Sequence, residues 1–114
     1  MIIAIIKIFP KPGRKQVIIE VLDSVKGPIS NDANCLDCAV MVDGNGNGAL
    51  YFIEQWHTRE AFDRHLRSAL YNRVLEALEG SLQPPEIKFC EATFLGGLEL
   101  VEKARNLSLG ETKY

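Results

Sequence analysis

The chain has 114 residues, 46% of them apolar and 25% charged, with a net charge of −2. That length suits one domain around one core, and the composition is that of a globular chain. A charge this close to neutral gives no electrostatic basis for binding nucleic acid or an anionic membrane, and no apolar run approaches the roughly 20 residues of a spanning helix.

Residues 2–9, IIAIIKIF, are almost continuously apolar and predict a strand buried on both faces. The run lacks the basic start and small-residue cleavage site of a signal peptide and carries Lys7 inside it, so a cytoplasmic chain is expected. PKPG at 10–13 ends the strand. From Arg14 to Lys26, Val17, Ile18, Val21, Leu22 and Val25 recur at helical spacing. KGPISNDAN then closes the helix with glycine, proline and turn-forming residues.

Residues 35–42, CLDCAVMV, predict a second strand with Leu36, Cys38, Val40 and Val42 on one face and Cys35, Asp37, Ala39 and Met41 on the other. DGNGNG at 43–48 predicts a hairpin turn; no Gly-Lys pattern follows to make it a phosphate loop. Residues 49–56 are the returning strand, with Leu50, Phe52, Glu54 and Trp56 facing one way. Thr58 is placed to cap a helix whose first turn carries Glu60. Phe62, His65, Leu66 and Ala69 form one apolar stripe; Tyr71, Val74, Leu75 and Leu78, with Leu82 beyond, form another out of phase with it. At 3.6 residues per turn one straight helix cannot bury both, which predicts a break near Ser68–Tyr71. Residues 86–94 alternate as a fourth strand. After Gly96–Gly97, Leu98, Val101, Ala104 and Arg105 fit a short helix that needs a surface to pack on, and the final GETKY is expected to fray.

Three cysteines, Cys35, Cys38 and Cys90, make no disulfide framework in such a chain. Cys35 and Cys38 have C-x-x-C spacing, but a redox pair sits at a helix N-terminus and this pair falls on a strand, where positions three apart point to opposite faces. No second pair or nearby histidine completes a metal set.

The order β-α-β-β-α-β specifies an α+β fold: a ferredoxin-like protomer with a four-stranded antiparallel sheet and both helices on one face, plus an extra C-terminal helix. Residues 1–95 form the domain and 96–114 a helical extension. Strands apolar on both faces leave one face unshielded, and a second copy packed face to face about a twofold axis covers it. The expectation is a homodimer with a pocket between sheet and helices or inside the joint barrel.

The strand closing in KPG (11–13), the turn before CLDCAV, the strand ending FIEQW, TREAFDRHLRS (58–68) and PPEIKF carry a resemblance. With them the chain resembles the antibiotic biosynthesis monooxygenase family of dimeric α+β barrel proteins over about residues 1–94. The resemblance implies a monooxygenase that needs no metal, flavin or other cofactor and acts on a quinol or polycyclic phenol with O2. It implies His65 as the proton acceptor, Trp56 as a stacking surface and N–H donor, and Tyr51 or Lys7 as donors to an oxyanion. Haem-degrading relatives carry a ligating histidine where Leu75 stands and an asparagine in the first strand that is missing here, which argues against haem. A non-catalytic homodimer that binds a small aromatic ligand is the alternative. Apart from the resemblance, His65 also reads as a core-edge histidine, His57 as a solvated turn residue, Trp56 as an anchor of the helix packing, and Glu54 as the partner of an arginine before a buried acid. The helix charges Arg59, Glu60, Asp63, Arg64 and Arg67 read as a solvated face.

Overall fold

The computed structural model describes residues 1–44 and 48–106. The elements run β1 (Ile2–Ile8), α1 (Lys15–Ser30), β2 (Cys35–Val42), β3 (Leu50–Trp56), α2 (Arg59–Arg67), α3 (Tyr71–Glu79), β4 (Glu86–Glu91) and α4 (Leu98–Arg105). The sheet order is β2-β3-β1-β4, and every pairing is antiparallel. This is the ferredoxin-like α+β arrangement expected from the element order. No described helix is long and apolar enough to cross a membrane.

The alternation of β1 and β3 sets the two faces of the sheet. Ile2, Ala4, Ile6 and Ile8 stand opposite Trp56, Glu54, Phe52 and Leu50, and all eight are buried beneath the helices. α1 covers them with Ile18, Leu22, Val25 and Ile29. The helix therefore runs four residues past Lys26, with Pro28 inside it. Proline removes one backbone donor in the last turn, but Ile29 continues the i, i+4 stripe into the core and offsets that loss.

The helix after Trp56 is broken as expected: Ser68 is extended (φ −71°, ψ 153°) between α2 and α3. The second stripe is Tyr71, Val74 and Ala77, not Leu75 and Leu82, which are exposed, as is Ala69 in the first. The exit of α3 is tied to the end of β1, with Phe9 N–H donating to Ser81 Oγ (3.1 Å) and Lys11 N–H to the Gly80 carbonyl (3.0 Å). Gly80 lies against α1, and a Cβ there would stand 2.7 Å from Ile18 Cδ1. Gly80→Ala is expected to destabilise the protein by about 1–3 kcal/mol through overpacking, measured by denaturant unfolding.

β2 departs from simple alternation. A bulge between Cys35 and Asp37 sets Cys35 opposite Trp56 and Cys38 opposite Glu54. The extra residue corrects the expected faces: both cysteines of the C-x-x-C pair turn to the helix side. Asp43 N–H donates to the Ala49 carbonyl (2.9 Å) at the mouth of the β2–β3 hairpin; residues 45–47 of the expected turn lie outside the described residues.

The other sheet face carries Ile3, Ile5 and Ile53, only partly covered, with Met41 half exposed. β4 is shorter than the nine residues expected and exposed along its whole length. α4 forms where expected, but none of its side chains is buried, and Phe94 and Leu95 before it are 77% and 84% exposed. The terminal GETKY lies outside the described residues. The radius of gyration, 17.1 Å, exceeds the roughly 13 Å of a compact chain this long. One protomer leaves more apolar surface uncovered than a self-sufficient domain would.

Candidate functional site

The strand–cap–helix junction from Glu54 to Tyr71 gathers the rarer side chains into one cluster. Thr58 caps α2, its Oγ1 accepting from Ala61 N–H at 3.1 Å. His57 is exposed, and its backbone N–H donates to the Asn34 carbonyl (2.8 Å), pinning the end of β3 to the turn before β2. Two turns into α2, His65 therefore lies back over the end of β3.

His65 meets Glu54 there. Its Nε2 is 2.7 Å from Glu54 Oε1, and both side chains are almost wholly buried. Glu54 is thus the buried acid of its two readings, paired with this histidine and not with an arginine. With Nε2 engaged by Glu54, Nδ1 is the ring nitrogen left for other chemistry. The imidazole stacks on Trp56, with ring centroids 4.5 Å apart and planes 28° from parallel, and Tyr71 packs edge-on at 5.0 Å. One face of the indole is spent on His65, and Trp56 is 1% exposed.

Around this pair the environment disfavours other charges. Burial, with the Glu54 carboxylate beside it, pushes the Cys38 thiol up to about 12. Burial also raises Cys35, with Glu54 adding to the effect. These are the opposite of reactive redox thiols, whose pKa is lowered. Burial and Glu54 likewise push the Tyr71 phenol up to about 12, so it keeps its proton at neutral pH and remains a donor.

His65 and Trp56 line a pocket of about 270 Å³ with Pro28, Ile29, Asp32, Arg64, Ser68 and Leu70, where the end of α1 meets the end of α2. Lys7 and Tyr51 stand elsewhere. They are cross-strand partners on the opposite face of the sheet, with Lys7 Nζ 5.5 Å from the Tyr51 ring centroid. Hydrogen bonding to Tyr51 holds Lys7 above its ordinary pKa. With Ile5, Glu86 and Lys88 they line a separate pocket of about 240 Å³. The four candidates from the sequence thus fall into two pairs, one on each face. Glu54 and Tyr71 are the participants the sequence reading passed over; the same-face spacing of Glu54 and Trp56 was the available sign for the first, and Tyr71 gave none beyond its place in an apolar stripe. Among the described residues, no three His, Cys, Asp or Glu side chains are grouped to hold a metal ion.

Residues 1–77 match the family described as antibiotic biosynthesis monooxygenase. The chain belongs to that family. Solved structures share the fold. A Pseudomonas aeruginosa protein is 25% identical, with a TM-score of 0.70 over 82% of this chain and 94% of its own. A Mycobacterium tuberculosis protein is 21% identical, with a TM-score of 0.75 over 84% and 98%. A conserved Methanosarcina mazei protein is 22% identical, with a TM-score of 0.73 over 81% and 92%. No curated protein matches the chain. Family membership supports monooxygenase-type chemistry at this fold; the residues that would perform it come from the geometry above.

Proposed function

We propose that the protein is a cofactor-independent monooxygenase whose helix-side pocket takes a small phenol or quinol. One observation carries this reading: a histidine held by a buried carboxylate at 2.7 Å and stacked on an indole lines a pocket of ligand size. His65 Nδ1 accepts the phenolic proton, and Glu54 steadies the imidazolium that results. The electron-rich anion then reduces O2 directly. One oxygen atom bonds to a ring carbon; the other leaves as water with the hydrogen lost from that carbon and the hydroxyl hydrogen, so a phenol becomes a quinone. Tyr71, which stays protonated and packs edge-on against His65, is a donor for the developing charge. A cavity of about 150 Å³ holds benzene, so 270 Å³ admits one or two rings and disfavours a larger polycycle.

We also infer a homodimer joined through the face of Ile3, Ile5, Ile53 and Met41, which places the Lys7–Tyr51 pocket inside the joint barrel. We take residues 1–95 as the domain and 96–114 as an extension, a reading supported by β4 joining the sheet. The three free thiols suit the reducing cytoplasm.

Oxygen uptake with 1,4-naphthoquinol, corrected for autoxidation, tests the reading. Uptake above background is expected, falling at least about 100-fold in His65→Ala. Unchanged uptake in that variant would remove His65 as the base. The second reading, a non-catalytic aromatic-binding dimer, is favoured by the near-complete burial of Glu54 and Trp56, which fits a core network as well. It predicts a thermal shift with 2-naphthol and no oxygen consumption with any quinol.

A further inference from the structure

Two buried polar atoms at this site have no hydrogen-bond partner among the described residues: Glu54 Oε2, an acceptor, and Trp56 Nε1, whose N–H is a donor. Buried polar groups are nearly always paired, so each such atom calls for a partner. The two are of opposite sense and belong to side chains that touch the same imidazole. Glu54 and Trp56 are next but one on β3 and face the same way, about 7 Å apart along the strand. Their side chains converge on one imidazole, the carboxylate through Oε1 and the indole by stacking. One oxygen making two hydrogen bonds of about 2.9 Å spans nearly 6 Å.

We propose that Glu54 Oε2 and the Trp56 indole N–H together bind one hydroxyl oxygen, which accepts from the indole and donates to the carboxylate. A carbonyl or ether oxygen accepts but cannot donate, and an ammonium donates but cannot accept. A hydroxyl does both from one atom. Trp56 lines the pocket and Glu54 does not, and both unpartnered atoms are buried, so the clamp lies behind the pocket wall and a ligand hydroxyl reaches it by parting that wall. The hydroxyl has two sources: an internal water, or the hydroxyl of a phenolic ligand. The second source rests on the ligand class proposed above; the clamp itself does not.

A crystal structure of the free protein near 1.5 Å resolution decides whether the clamp exists. The expected result is an oxygen peak within about 3.2 Å of both atoms. A protein group bonded to either atom, or no peak within reach of both, overturns the proposal. Crystals soaked with 2-naphthol, and titrations comparing 2-naphthol with 2-methoxynaphthalene, separate the sources. If the peak persists with naphthol bound beside it, the oxygen is water and the methyl ether binds equally well. If the naphthol oxygen replaces the peak, the phenol is preferred by at least about tenfold, the loss expected when one buried hydrogen bond cannot form. Glu54→Gln discriminates further. To keep accepting from His65, its amide turns NH2 toward the clamp, which then offers two donors that an ether satisfies as well. The phenol preference should collapse in this variant while the fold survives; a preference that persists would overturn the ligand source. Trp56→Phe should remove the peak, but Glu54→Gln keeps the test decisive if that variant does not fold. None of these readouts uses oxygen uptake, so a clamp without turnover, or turnover without a clamp, is recognisable as such.

Discussion

His65→Leu is expected to lower the unfolding free energy by about 3–5 kcal/mol, because it leaves the buried Glu54 carboxylate without its partner. For a domain of this size that is a fall in Tm of about 12 °C or more. Leucine replaces the ring with apolar volume, so a cavity is not the main cause. The double variant Glu54→Leu, His65→Leu removes both partners and should recover much of the loss, since well-packed apolar replacements of a buried pair are often neutral. The signature is therefore a double variant more stable than the His65→Leu single, read from melts at matched protomer concentration. A single variant within about 1 kcal/mol of the parent would mean that Glu54 finds another partner or holds a proton there.

Ile53→Glu is expected to split the dimer. Ile53 pairs with Ile5 of β1 and Ala39 of β2 at the centre of the face the helices leave uncovered. If a second copy covers that face, each protomer would bury an unpaired carboxylate at the joint, at a cost of several kcal/mol per ion. Two such ions weaken association by more than a thousandfold. Sedimentation at micromolar concentration should show the parent as a dimer and the variant as a monomer or an aggregate. A monomeric parent would refute the dimer, and a dimeric variant would place the joint on another surface. α4 and the exposed Phe94 and Leu95 add further apolar surface, and they make aggregation the commoner fate of a split protomer.

Much of this molecule is written in local pattern. The apolar run of β1, the alternation of β3, the Thr58 cap and the phase slip between the Phe62 and Tyr71 stripes are properties of a few neighbouring residues, and each element appears in the structure, although β1 is buried on one face and only partly covered on the other. The misreadings came where a distant contact outweighed a local preference. Pro28 and Gly27 signal a helix end, yet Ile29 finds the core and the helix continues. Leu75 fits an apolar stripe by spacing, but Ala77 occupies the inward position where α3 approaches α1, so close that a Cβ at Gly80 would press on Ile18. The bulge at Leu36 rotates Cys35 onto the face of Cys38, which strict alternation forbids.

The sequence by itself determined the element order, the sheet with one shielded face, the family and the placing of Trp56 and His65 at one junction, because hydrophobic period and capping chemistry act within a few residues. Only the tertiary structure decided which side chains meet. It brought Glu54 to His65 across the gap between β3 and α2, turned one face of Trp56 to the imidazole, and set Lys7 and Tyr51 on the far side of the sheet. Strand parity sorts residues onto two faces, but the partner each finds across the core depends on how a helix lies over the sheet, and that is fixed by packing between elements remote in the chain.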